Sequence, residues 1–163
     1  MTTAAEVSAY DRLLDLLTTT PTAYRTIDHE PEGNTALASE LRGHPLEQAA
    51  KSIVVRAKHP AGTRYALAVV PGDRRVDLTA VGRALDATRA GFADRPTAER
   101  LSGCTSGSII PFSFRPDLEL LVDPALLAHP RIYFNAARLD RSVELATPAY
   151  RTLARPRALP IAT

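Results

Sequence analysis

Lys51-Ser52-Ile53-Val54-Val55-Arg56-Ala57-Lys58-His59-Pro60-Ala61-Gly62-Thr63-Arg64-Tyr65-Ala66-Leu67-Ala68-Val69-Val70 is the stretch on which the fold turns. Ser52 to Ala57 and Arg64 to Val70 are runs of β-formers, and Pro60-Ala61-Gly62-Thr63 between them is turn chemistry, so the two runs predict a hairpin. Lys51 stands at its entrance. Of the 20 basic residues only Lys51 and Lys58 are lysines, in a chain that otherwise uses arginine, so the lysine at 51 calls for a chemical reason.

Upstream, Val7, Tyr10, Leu13, Leu14 and Leu17 recur at three- and four-residue spacing, which predicts an amphipathic helix ending between Thr18 and Pro21. Tyr24 to Ile27 reads as a short strand. Pro31 and Gly33 then force a loop, Asn34 or Thr35 can cap a second helix, and Gly43 supplies its stop. His44 to Gln48 is a further helical turn with Pro45 at a tolerated early position.

Downstream, Asp77 caps a helix through Leu85, and Asp94 or Thr97 starts one that ends at Gly103. Leu118–Val122, Arg131–Asn135 and Val143–Ala146 read as strands. Asp123-Pro124 opens a short helix and Thr147-Pro148 a final one through Leu153. Helices and hairpins interleave without strict strand–helix alternation, so the expected class is α+β, with a mixed, mainly antiparallel sheet among helices. Residues 1–154 are expected to form one domain, and residues 155–163 a fraying tail.

The 163 residues carry a net charge of +2, too little for a general nucleic-acid coat. The balance is uneven: from Arg131 onwards six arginines face two acids, either a phosphate-facing surface or a solvated basic face. No apolar run is long enough for a membrane span, and Met1 to Glu6 lacks a signal-like pattern. With a single cysteine, Cys104, the expected compartment is the reducing cytoplasm.

The second informative stretch is Gly103-Cys104-Thr105-Ser106-Gly107-Ser108-Ile109-Ile110-Pro111-Phe112-Ser113-Phe114. Its glycines free the backbone, Pro111 biases Ile110 towards an extended shape, and such a loop is either an ordinary turn or a way to aim N–H groups at a ligand. Other chemistries fit less well. His29-Glu30-Pro31-Glu32-Gly33 lacks the second histidine of a zinc protease, Ser106 lacks the flanking glycines of a hydrolase elbow, and no glycine motif for nucleotide phosphates is present. Cys104 is either an inert small hydrophobe or a nucleophile activated by His29 or His44. No cofactor or metal is expected.

Five segments together resemble the YbaK family, the prolyl-tRNA synthetase editing domains and their free-standing relatives. They are Ala49 to Ala57 around Lys51, Val70-Pro71-Gly72-Asp73 with Val76-Asp77-Leu78, Gly107 to Pro111, Phe134 to Ala137, and Arg141 to Leu145. The resemblance spans about Tyr10 to Leu153 and implies a barrel-like sheet among helices, with a pocket that hydrolyses mischarged transfer RNA. It makes Lys51 the group that holds the terminal nucleotide, and the loop of Gly107, Ser108, Ile109 and Pro111 the frame of the ester. Water would be the nucleophile, because an aminoacyl ester is already activated.

The same resemblance places Ile27, His29, Ala36, Asn135 and Ser142 around the substrate. Ala136 and Ala137 stand where the family often has glycines, Ser142 where the cysteine-specific branch has an acid, and Ile27 and Ala36 where that branch has aromatic residues. Alanine, serine or threonine would suit a site with Asn135 and Ser142. The implied partners are the 3′ aminoacyl end of a mischarged tRNA and, for selectivity, either direct RNA contacts or a synthetase; neither DNA nor a membrane is implied. A non-catalytic module of the same fold, or a hydrolase of small esters, are the competing readings.

Overall fold

A computed structural model describes residues 7–163. In chain order the elements are α1 (Ala9–Leu17), β1 (Tyr24–Asp28), α2 (Thr35–Arg42), β2 (Ala50–His59), β3 (Gly62–Pro71), α3 (Leu78–Ala84) and β4 (Arg89–Phe92). There follow α4 (Arg95–Ser102), β5 (Leu118–Val122), α5 (Pro124–Leu127), β6 (Arg131–Asn135), β7 (Arg141–Ala146), α6 (Thr147–Ala154) and β8 (Arg157–Ala158). A 3-10 turn at Leu46–Gln48 precedes β2. Side-chain caps on Ser8, Asn34, Asp77, Asp94 and Asp123 satisfy free N–H groups of the first five α-helices.

The strands form two sheets. In one, β7 lies between β1 and β6, all antiparallel; in the other the order is β4-β2-β3-β5-β8. The β2–β3 hairpin is antiparallel over its whole length, from Ala50 opposite Pro71 to His59 opposite Gly62. β5 adds to β3 in parallel, and β8 to β5. Among the described residues a single backbone bridge, Ala49 to Tyr133, links the two sheets, and neither closes on itself. The architecture is thus mixed and mainly antiparallel α+β, while the barrel-like expectation is corrected to two open sheets.

The hairpin supplies the framework because both of its faces are covered. Leu67 and Val69 of β3 point into a core shared with α1, β6, β7 and Tyr150, whereas Ala66, Ala68 and Val70 point into a second core with Val81 of α3 and Ile161. A strand buried on both sides reads as a continuous apolar run instead of an alternating one, which is what Ala66 to Val70 does. This rigid strand pair delivers Lys51 and Ser52 to one end of the molecule.

The C-terminal residues do not fray. Asp123 is buried, its Oδ2 accepts the N–H groups of Ile161 and Ala162 at 2.9 Å each, and Ile161 is fully enclosed. Ala162 also bridges Val76. The tail expected at residues 155–163 is therefore a docked strand and its extension. No helix among the described residues is long and apolar enough to cross a membrane.

Candidate active site

Four segments and the end of β6 surround a cavity of about 70 Å³. Its walls are Gly33 and Thr35, Ala38 and Arg42 of α2, Ala50, Lys51 and Ser52 of β2, Gly107 and Ile109 of the loop after α4, and Phe134 and Asn135. The two glycine loops meet backbone to backbone. Gly107 sits at φ +91°, and a Cβ on it would fall 2.8 Å from the Gly33 Cα, so the close approach needs glycine.

Asn135 holds these loops together. Its Nδ2 donates to the Glu32 carbonyl at 2.8 Å and to the Gly107 carbonyl at 2.9 Å, while its Oδ1 accepts from Arg42 Nη1 and Ser142 Oγ at 3.2 and 3.0 Å. From the other side, Glu99 of α4 accepts the Ser106 N–H at 2.7 Å. Both the N–H and the hydroxyl of Ser108 donate to the Thr105 carbonyl. Among the described residues the N–H groups of Gly107 and Ile109, both on the cavity wall, have no protein acceptor. Two free donors in a preorganised loop can stabilise an oxyanion.

Lys51 is half-buried, and its Nζ donates to the Arg74 carbonyl. Burial lowers the pKa of its ammonium, Arg75 lowers it further, and Asp73 opposes them. A partly desolvated cation attracts an anion more strongly than one in bulk water.

Arg42 was not among the residues expected from sequence. It is only 8% exposed, and every acceptor of its guanidinium is neutral: Nε donates to His44 Nε2 at 2.9 Å, Nη1 to Asn135 and Ser142, and Nη2 to Ser39 Oγ at 3.4 Å. Burial pushes its pKa down to about 10, so it stays charged near neutrality.

His44 in turn gives its Nδ1–H to the Pro45 carbonyl at 2.8 Å and stacks on Tyr133 with ring centroids 3.8 Å apart. That arrangement requires the neutral ring. Burial, partly offset by the Pro45 hydrogen bond, and the neighbouring Arg42 charge lower its pKa to about 4 from an ordinary 6.5. The unfolded chain therefore binds the extra proton first on acidification, and the stabilising effect of neutral His44 is complete above pH about 6.5 and lost as pH falls towards 4. Urea midpoints should decline between pH 6.5 and 4.5, above the range in which carboxylates dominate, and His44→Gln should flatten that decline; an unchanged slope in the variant would refute the assignment.

Of the ten site residues expected from sequence, Lys51, Gly107, Ile109 and Asn135 line the cavity. His29 and Ser142 lie one layer behind: His29 Nε2 is 2.6 Å from Ser142 Oγ, which accepts from Arg42 Nη1 at 3.2 Å. His29 Nδ1 faces the Glu30 carbonyl at 2.8 Å, so a neutral His29 offers Nε2 as acceptor and the Ser142 proton serves either His29 or Asn135.

Ile27, opposite Ser142 in the β1–β7 register, Ala36, on the exposed side of α2, Pro111 and Ser108 are not on the wall. Ser108 is 1% exposed with its hydroxyl engaged inside the loop, so what it does in this structure is shape the loop. Pro111 is buried and accepts the Tyr150 hydroxyl at 2.8 Å. Cys104 lies in the core with its pKa raised by burial, which ends its case as a nucleophile. Among the described residues no three of His, Cys, Asp and Glu gather to hold a metal ion.

What marks Arg42 is the inverted placement of α2. Thr35, Ala38, Ser39 and Arg42 form the inward face of α2, while Leu37 and Leu41 lie outside, 48% and 47% exposed.

The family model of the aminoacyl-tRNA editing domain matches residues 29–153. The chain belongs to the aminoacyl-tRNA editing family. As an editing domain it is an aminoacyl-tRNA deacylase, a hydrolase of the ester that joins an amino acid to its tRNA. Among its relatives is the Multifunctional Ser/Thr-tRNA deacylase ProXp-y of Escherichia coli strain K12, 37% identical over 148 residues that cover 90% of this chain and 89% of that protein. Two crystal structures share the fold of this editing domain. One is of the hypothetical protein APE2540, with a TM-score of 0.82 and 19% identity over 93% of this chain and 99% of the other. The other is described as a candidate trans-editing enzyme for prolyl tRNA synthetase, with a TM-score of 0.78 and 19% identity over 98% and 99% of the two chains.

Proposed function

We propose that this editing domain acts in trans to remove serine or threonine from wrongly charged tRNA, with water as the nucleophile. The observation that carries the mechanism is that Lys51 borders the same small cavity as the Gly107 loop, whose Gly107 and Ile109 N–H groups have no protein acceptor among the described residues. Lys51 anchors the negatively charged terminal nucleotide, and the two N–H groups receive the charge that develops on the ester carbonyl oxygen. The hydroxyls on the wall, Thr35 and Ser52, have no base bonded to them among the described residues, which leaves attack to water. The polar lining and the Ser/Thr-tRNA deacylase activity of the E. coli relative favour a hydroxyl-bearing amino acid.

The test is release of amino acid from a panel of mischarged tRNAs by the protein and by Lys51→Ala. Lys51-dependent release of serine or threonine is expected. RNA binding with unchanged ester lifetime would make the chain a binding module, and release from small esters lacking RNA would make it a general esterase.

RNA contact is better assigned to the turn beside Lys51 than to the basic C-terminal end. Four of the six arginines there are paired: Arg131 with Glu144, Arg138 with Asp140, Arg141 with Asp28 and Arg157 with Glu119. Arg74 and Arg75, by contrast, are exposed next to Lys51 with no carboxylate in salt-bridge range among the described residues. Arg74→Gln/Arg75→Gln should raise KM for aminoacyl-tRNA about tenfold, leave kcat nearly unchanged and lower the log–log salt slope by about two, whereas Arg138→Gln should do little. Equal effects of the two changes would remove the turn as the contact.

A further inference from the structure

We infer that Arg42 and Ser52 select the substrate by hydrogen-bonding the side-chain hydroxyl of its amino acid. This rests on the deacylase reading and adds the groups that set its preference. Two independent irregularities point to the same cavity. The first is Arg42: of the five N–H donors of a guanidinium, four have partners, and one on Nη2 is left on a buried cation that no carboxylate neutralises. The second is Ser52, whose Oγ is the one buried side-chain polar atom without a hydrogen-bond partner among the described residues. Both residues line the cavity that also holds Lys51 and the Gly107 loop.

A buried donor and a buried hydroxyl left unmatched destabilise the protein by a few kcal/mol in general, which a ligand with a matching group can relieve. An alcohol is that group. Its oxygen accepts from Arg42, and its proton goes to Ser52 Oγ. A methyl in its place would satisfy neither, and an ammonium-bearing side chain would meet the uncompensated Arg42 charge. Sites built to bond a substrate hydroxyl discriminate strongly against the analogue lacking it, because their own polar groups are then stranded. The rest of the Arg42 network serves to aim it. His44, Asn135, Ser142 and Ser39 hold the guanidinium from three sides, so the remaining N–H has little freedom.

The experiment compares seryl and alanyl esters on one tRNA body, reading kcat/KM for the wild type, Ser52→Ala and Arg42→Lys, with thermal melting of each variant. The wild type should favour the seryl ester by at least about tenfold. Ser52→Ala, which removes one oxygen, should cut that ratio about tenfold through the seryl ester, with the alanyl rate changing less than about threefold. Arg42→Lys should act in the same direction. A merely structural role would slow both esters together and leave the ratio intact; that result in an active enzyme would overturn the inference while leaving the deacylase reading in place. Absence of Lys51-dependent release from any ester would remove both.

Discussion

Lys51→Ala is expected to lower kcat/KM for deacylation by about 10² to 10³ while shifting the melting temperature by no more than a degree or two. The large kinetic effect follows from position. Lys51 borders the cavity together with the Gly107 loop and its free N–H groups, and the partial burial of its ammonium strengthens its pull on an anion. The small stability effect follows from its partner. Its hydrogen bond goes to the Arg74 carbonyl in an exposed turn, where water can replace it. Lys51→Arg should fail to restore full activity, because a broad planar fork cannot reproduce the compact point charge of an ammonium beside a cavity of about 70 Å³. Wild-type rates in Lys51→Ala would require another cation to hold the nucleotide.

Much of this geometry could be read from the chain because its signals are local. The hairpin announced itself through two β-rich runs around a turn, and Asn34, Asp77, Asp94 and Asp123 cap the helices they precede. What escaped was non-local. β4 is four residues, Arg89–Phe92, with a glycine inside and Phe92 exposed, and it is a strand only because β2 offers an edge. The C-terminal strand exists because β5 offers an edge to Arg157 and Ala158, and Asp123 holds the extension through two N–H groups that lie 38 and 39 residues later. Arg42 was hidden by the usual rule that leucines point inward, which α2 reverses. Asn135 lines the cavity, and its amide is fully engaged in clamping two loops, a role that only the fold could reveal.

That clamp sets the second large effect. Gly107→Ala should reduce kcat/KM at least about 10²-fold and destabilise the protein by roughly 2–4 kcal/mol. Two penalties combine. At φ +91° an L-residue is strained, and the new Cβ would lie 2.8 Å from the Gly33 Cα and 3.1 Å from its carbonyl oxygen. Both obstacles are backbone, so the loop itself must move, carrying the Gly107 N–H away from the ester and its carbonyl away from Asn135 Nδ2. For a chain of this length the stability loss corresponds to a melting shift of about 5–15 °C. Gly33→Ala provides the contrast. Its Cβ would sit 3.4 Å from the Gly107 Cα, ordinary contact, and its backbone does not require glycine. It should therefore retain most activity and stability. If the two alanine variants behaved alike, the left-handed conformation of Gly107 would not be what shapes the site; if only Gly107→Ala lost activity, measured well below its melting temperature, the loop geometry itself is the catalytic element.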